Sequence, residues 1–125
     1  MNPTGVIDID HLRGYTGGDP EVERDVFSAF REQCDMWGRA LDPKGDEETW
    51  RSATHALKGL ARGMGAFTLA EACERAEDLA GDAGSAVARS IALEDLRSAM
   101  NDAIHAVAVL EQKAGANFRK AAGEG

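Results

Sequence analysis

Few side chains in this 125-residue chain could do nucleophilic chemistry: three histidines, His11, His55 and His105, two cysteines, Cys34 and Cys73, and scattered serines. His55 alone stands in an unusual setting. Arg51, Ser52, Lys58 and Gly59 lie within about one helical turn of it, and Arg62 and Gly63 follow one turn on. This cluster of cations sits in a chain with 14 Lys and Arg against 22 Asp and Glu. A neutral imidazole nitrogen is a nucleophile near pH 7, and flanking cations would favour an anionic reaction partner. The other residues fit established chemistries poorly. No Asp completes a hydrolase-like arrangement around Ser52. No two histidines fall at i and i+4 with a carboxylate, so a metal site is not expected. Cys34 and Cys73 lie outside any paired-cysteine motif and read as reduced core residues, while His11 and His105 read as solvated surface residues. A Gly-rich phosphate loop is absent, so ATP binding and self-phosphorylation are not expected.

The elements that must carry His55 are helices. All three prolines, Pro3, Pro20 and Pro43, fall in the first third, and the remainder is rich in Ala, Leu, Glu and Arg. Asp19-Pro20 is an N-cap followed by a proline at the first helical position, opening a helix to about Leu41 with Val22, Val26, Phe30, Cys34, Trp37 and Leu41 inward. Gly and Asp clusters at 42–46 and 81–85 mark further breaks. Between them the pattern predicts a helix from Asp46 to Gly63 or Met64, and another from Thr68 to Ala80 with Leu69, Ala72, Cys73, Ala76 and Leu79 inward. A last helix is expected over 93–114, with Leu96, Met100, Ala103, Val107 and Leu110 on one face. The fold class is therefore all-α: an antiparallel four-helix bundle with a short N-terminal helical extension over Ile7 to Tyr15, in a single domain spanning 1–125. Residues 1–6 and 115–125 are expected to fray.

On the second long helix, Trp50, Ala53, Thr54, Leu57, Ala61 and Met64 share one face within about 60° of the core direction. With Trp50 at zero, His55 falls near 140°, Gly59 near 180°, and Arg51, Lys58 and Arg62 between about 80° and 120°. The imidazole should point outward. Ordinary surface polarity accounts for much of this, with the cations pairing to Glu47, Glu48 or the next helix. It does not account for Gly59, which costs roughly 1 kcal/mol relative to Ala within a helix and needs a packing or access reason. Gly63 can mark the end of the helix. Phe27 and Met36 fall at the edges of the first long helix's core stripe, where they either pack under the N-terminal segment or offer an apolar docking surface.

The formal charge of −8 opposes nucleic acid and anionic membranes as partners. No apolar run approaches the roughly 20 residues of a membrane span, and the N-terminus lacks the features of a signal peptide, so a cytoplasmic monomer is the expectation.

His55-Ala56-Leu57-Lys58-Gly59, then Met64-Gly65-Ala66, Leu69 and Cys73-Glu74, resembles the His-x-Leu-Lys-Gly signature of histidine-containing phosphotransfer (HPt) domains, the relay modules of multistep two-component signalling. Gly18-Asp19-Pro20-Glu21 leading to Phe30 is similar to the start of the family's first long helix, and the likeness runs from about Ile7 to Leu110. The resemblance implies that His55 accepts a phosphoryl group from a receiver-domain aspartyl phosphate and passes it to another response-regulator receiver. It also implies that Lys58 orients or neutralises that group and that Gly59 leaves room for the receiver. Arg51, Arg62, Ser52, Gly63 and Phe27 would complete the partner-binding face. Transfer of this kind needs alignment and charge neutralisation more than covalent help. Such a phosphocarrier has no kinase activity of its own and no cofactor, and Mg²⁺ arrives with the receiver. Glu77 departs from the family pattern, taking the place of a Gln found beside the active histidine in some members. There it could hold Lys58 or accept a hydrogen bond from the imidazole, or repel the phosphoryl group. Two other functions share these residues: a phosphoacceptor domain belonging to a larger hybrid or chemotaxis-type histidine kinase, and a relay-inactive bundle that binds or inhibits a partner. The initial Met favours the free-standing form.

Overall fold

The computed structural model describes residues 6–81 and 84–124, with backbone only for 114–124. Five helices are described: α1 (Ile9–Thr16), α2 (Pro20–Ala40), α3 (Glu47–Met64), α4 (Phe67–Glu77) and α5 (Ala86–Glu124). Three begin on aspartate caps. The carboxylates of Asp8, Asp19 and Asp46 accept from the backbone N–H of His11, Glu21 and Thr49 at 3.1, 2.9 and 3.0 Å, satisfying donors that the first turn leaves free. The Thr49 backbone bond, together with the Thr49 hydroxyl, which also donates to Asp46 (3.0 Å), holds the Asp46 carboxyl below the usual carboxylate range. Gly17 and Gly65 end α1 and α3 in the left-handed conformation, at φ 70° and 74°.

The four long helices close into a ring, α2 against α3, α3 against α4, α4 against α5, and α5 back against α2, while α1 lies across α2 and α3. The short connections at 41–46, 65–66 and 78–85 make successive helices antiparallel. Trp50, Phe30, Ile7, Leu12, Leu57, Leu69, Leu96 and Val107 fill the centre, each fully buried. Gly38 lets α2 approach α5 closely, since a Cβ there would lie 3.2 Å from Met100 Cε. Among the described residues no helix is long and apolar enough to cross a membrane.

The six core residues expected on α3 are the six that it buries. Elsewhere the boundaries and phases shift. On α2 the buried face is Phe27, Phe30, Cys34 and Gly38, and Val22 is exposed. Phe27 shares the face of Phe30 and Cys34 at helical spacing and is only 3% exposed, so it is a core residue and not part of a docking surface. Met36, its counterpart at the stripe's other edge, is exposed. Helix α4 stops at Glu77, three residues short of the expected end, and Leu79 is half-buried in the turn that follows. Helix α5 begins at Ala86 instead of Leu93 because the Ser85 hydroxyl accepts from Ala88 N–H (3.1 Å) and its carbonyl from Arg89 N–H (2.9 Å), which together cap the helix early. It continues to Glu124 where fraying was expected from 115, through a proline-free stretch in which Ala is the commonest residue. Residues 1–5, Asp82, Ala83 and Gly125, which include most of the expected N-terminal fray and part of the 81–85 loop, lie outside the described residues.

Candidate functional site

Helix α3 sets the site. Its inner face is anchored by Trp50, whose indole N–H donates to the Ala76 carbonyl at 2.7 Å, and by Thr54, whose hydroxyl donates to the Trp50 carbonyl at 2.8 Å. With the core side fixed in this way, position 55 faces outward, and 72% of the His55 side chain is exposed. The end of the helix is equally constrained. Gly65 N–H donates to Arg62 O (3.2 Å), its carbonyl accepts from Asp8 N–H (2.9 Å), and a Cβ on it would lie 2.8 Å from Asp8 O. Only glycine meets both the left-handed backbone and this close approach.

Glu77, the last residue of α4, reaches across to α3 and joins two of its residues. One carboxylate oxygen lies 3.0 Å from His55 Nδ1, and the other accepts from Lys58 Nζ at 2.8 Å. The pairing holds the Glu77 carboxyl below its usual range, chiefly through the Lys58 hydrogen bond, with burial opposing and the His55 contact assisting. An ionised carboxylate can only accept, so the ring hydrogen of a neutral His55 sits on Nδ1 and Nε2 keeps the lone pair. Glu77 therefore does both things its sequence position allowed, and it does them at the Nδ1 edge, away from Nε2. Lys58 is 13% exposed at its side chain and committed to Glu77, with two ammonium donors left over.

The remaining cations of the face are also engaged. Arg51 Nη2 donates to Glu47 (2.9 Å) and to the Ala80 carbonyl (3.3 Å), and Arg62 lies 3.9 Å from Glu74. The cluster of positive charge is thus balanced by carboxylates on α3 and α4, which is the ordinary pairing that its spacing also allowed. Neither arginine is brought onto the imidazole. Ser52 is exposed, and apart from the helix's own backbone neither Gly59 nor Gly63 has a neighbouring atom within 4 Å of the place a Cβ would take. The surface beside His55 is therefore open.

Outside this face, the chemistry-bearing residues are quiet. Cys34 and Cys73 are free and buried. Burial pushes both thiols up to about 12, each raised further by its neighbour, Cys73 for Cys34 and Glu77 for Cys73, so they stay protonated and inert. His105 is exposed, and His11, also exposed, sets its ring edge-on to Phe67 with centroids 5.2 Å apart.

Comparison with known proteins places the chain in a family. A family model, the Hpt domain, matches residues 24–109. The chain belongs to the Hpt family. This Hpt chain is also similar to the crystal structure of the histidine phosphotransferase ShpA from Caulobacter crescentus, with 34% sequence identity, a TM-score of 0.72, and 90% of this chain and 97% of that one covered. A search of curated proteins found no match. The Hpt helical bundle seen here is the fold of that neighbour, and the family match supports a role in phosphotransfer.

Two features of the Hpt site were not read from the sequence. One is that Glu77 engages Lys58 and His55 at once, where the sequence offered these contacts only as alternatives. The other is Arg89, almost buried at the start of α5, whose Nε donates to the Leu79 carbonyl at 2.9 Å and whose guanidinium lies over the Trp50 ring, 5.6 Å from its centroid. The expected helix start at Leu93 left Arg89 in a loop, so no sequence signal pointed to it.

Proposed function

We propose that this protein is a phosphocarrier in a phosphorelay, with His55 as the phosphoacceptor and response-regulator receiver domains as donor and acceptor. The observation that carries the reading is the Glu77 contact to Nδ1, which leaves a nucleophilic Nε2 on an exposed, uncrowded face.

In the forward step, the Nε2 lone pair attacks the phosphorus of a receiver's aspartyl phosphate. A P–N bond forms, the P–O bond to the aspartate breaks, and the aspartate leaves as a carboxylate. The ring keeps its Nδ1 proton and so becomes cationic as the bond forms. Glu77 strengthens its hold on that proton at the same moment, because a hydrogen bond between charged partners is the stronger kind. Return transfer reverses these changes: a receiver carboxylate attacks phosphorus and the electron pair returns to Nε2. Lys58 offsets the charge of Glu77, so that a dianionic group at Nε2 does not meet an uncompensated carboxylate, and its free donors are available to that group. The chain supplies the nucleophile and the charge balance, and the receiver supplies Mg²⁺ and the leaving carboxylate. No ATP-dependent step is assigned to the chain. Receiver domains, and a hybrid kinase carrying one, are the partners this chemistry requires, with Gly59, Gly63 and Ser52 forming the open approach.

The test is to incubate the purified chain with a panel of phosphorylated receiver domains and follow the label. At least one receiver should transfer its phosphoryl group, and nitrogen-15 NMR of the labelled product should place phosphorus on Nε2 of His55. Attachment at Nδ1, or no acceptance from any receiver, would refute the reading.

A further inference from the structure

Helix α4 ends without a left-handed glycine: its last residue is Glu77, and Asp78 stays in the right-handed region at φ −62°. The turn that follows satisfies part of that end itself, Leu79 N–H donating to the Ala76 carbonyl (3.1 Å) and Ala80 N–H to the Glu77 carbonyl (3.0 Å), and side chains add donors to the turn. Three donors converge on it. The Trp50 indole holds the Ala76 carbonyl (2.7 Å), Arg51 reaches the Ala80 carbonyl (3.3 Å), and Arg89 comes from the neighbouring helix to hold the Leu79 carbonyl (2.9 Å). Arg89 is 8% exposed and also covers the Trp50 ring, so one guanidinium braces both the turn and the indole that anchors it. A cation is well placed there, at the negative end of the α4 dipole. Glu77 lies between Ala76 and the 78–80 turn, and its carboxylate bonds His55 and Lys58 at 3.0 and 2.8 Å.

We propose that Arg89 is a positioning residue for the His55 site: by fixing the C-terminal turn of α4 against Trp50 it holds Glu77 in place, and through Glu77 it sets the orientation and tautomer of the imidazole. Arg89 touches neither His55 nor a transferred group. Its influence passes through one carboxylate. The proposal rests on the reading of His55 as the phosphoacceptor, but its structural part concerns the ring in the unphosphorylated protein.

The experiment uses the full chain labelled with nitrogen-15 in histidine, as wild type, Arg89→Met, Arg89→Lys, Glu77→Ala and the double variant Glu77→Ala with Arg89→Met. The first readout is the ratio of Nδ1–H to Nε2–H tautomers of His55 at about pH 8.5, where an imidazole is ordinarily neutral. The second is the rate of transfer from a phosphorylated receiver. Arg89→Met should lower both by roughly threefold to tenfold, the size expected for losing one hydrogen bond, with Arg89→Lys in between. In the Glu77→Ala background the same substitution should change neither, because the route through the carboxylate is gone. An unchanged tautomer ratio in folded Arg89→Met would overturn the proposal, as would a fall in transfer of equal size with and without Glu77. If circular dichroism shows Arg89→Met unfolded, Arg89→Lys carries the same comparison. If no receiver phosphorylates the wild type, the phosphocarrier reading fails while the tautomer ratio still decides the role of Arg89.

Discussion

Gly59 separates what the fold needs from what transfer needs. It lies in the interior of α3, exposed, with no atom apart from the helix's own backbone within 4 Å of where a Cβ would sit. Alanine there meets no clash and removes the conformational freedom of glycine from the unfolded chain, a gain of roughly 1 kcal/mol. For a 125-residue chain, an unfolding entropy of about 2.1 cal/mol/K per residue gives about 0.26 kcal/mol/K, so Gly59→Ala should raise Tm by about 4 °C. Glutamine is also a good helix former, and Gly59→Gln should be at least as stable as the wild type. Its side chain would nevertheless fill the open surface one turn from His55. A receiver displaced there by an ångström or so loses in-line alignment with Nε2, and transfer should fall by about tenfold to a hundredfold. The assay is thermal unfolding beside the receiver-to-His55 transfer rate for each variant. A lower Tm for Gly59→Ala would mean that this face packs against something; near-normal transfer by Gly59→Gln would mean that the receiver does not approach over Gly59.

Three further outcomes follow from the geometry. Lys58→Ala leaves the Glu77 carboxylate without its cation beside the accepting ring, so it should slow transfer or shorten the phosphohistidine lifetime while circular dichroism shows an intact bundle; unchanged kinetics would assign all positive charge to the partner. The folded-state pKa of Glu77 is depressed, so its pairing stabilises the protein fully above the unfolded value of about 4.3 and is lost as pH falls through the folded value. Urea midpoints measured from about pH 6 to pH 3 should therefore fall less steeply for Glu77→Gln than for the wild type, and equal slopes would count against the pairing. Gly65→Ala, in contrast with Gly59→Ala, should destabilise by roughly 2 kcal/mol or more in denaturant unfolding, because φ is 74° and Asp8 O blocks the Cβ; a neutral result would mean that the N-terminal segment does not dock on α3.

The sequence was most legible where local chemistry bounds an element on both sides. Asp46 caps α3 where expected, and although the glycine that ends it is Gly65 and not Gly63, which lies within the helix, its six inner residues follow from periodicity alone. Where an element lacked such bounds the reading slipped. The start of α5 depends on a single serine hydroxyl at the edge of a Gly and Asp cluster, and Ala-Val-Ala after it carries too weak a stripe to announce a helix. On α2, two apolar stripes one residue out of phase compete, and only the neighbouring helices decide that Phe27 goes in and Val22 stays out. The outward placement of His55 was legible for the reason α3 was. Which of the contacts open to Glu77 would form was not, because it stands 22 residues away and its reach to Nδ1 depends on how α4 is rotated against α3. That rotation is set by contacts such as Trp50 to Ala76, which no single-helix pattern contains.

If one exposed imidazole carries the phosphoryl group, wild type and His55→Gln must differ after exposure to a competent phosphorylated receiver. The wild type should take up label that survives alkali and is lost in acid, as a phosphoramidate does, and His55→Gln should take up none while His11→Gln and His105→Gln label normally. Label on His55→Gln, or its loss at either of the other histidines, would place the phosphoryl group on another side chain.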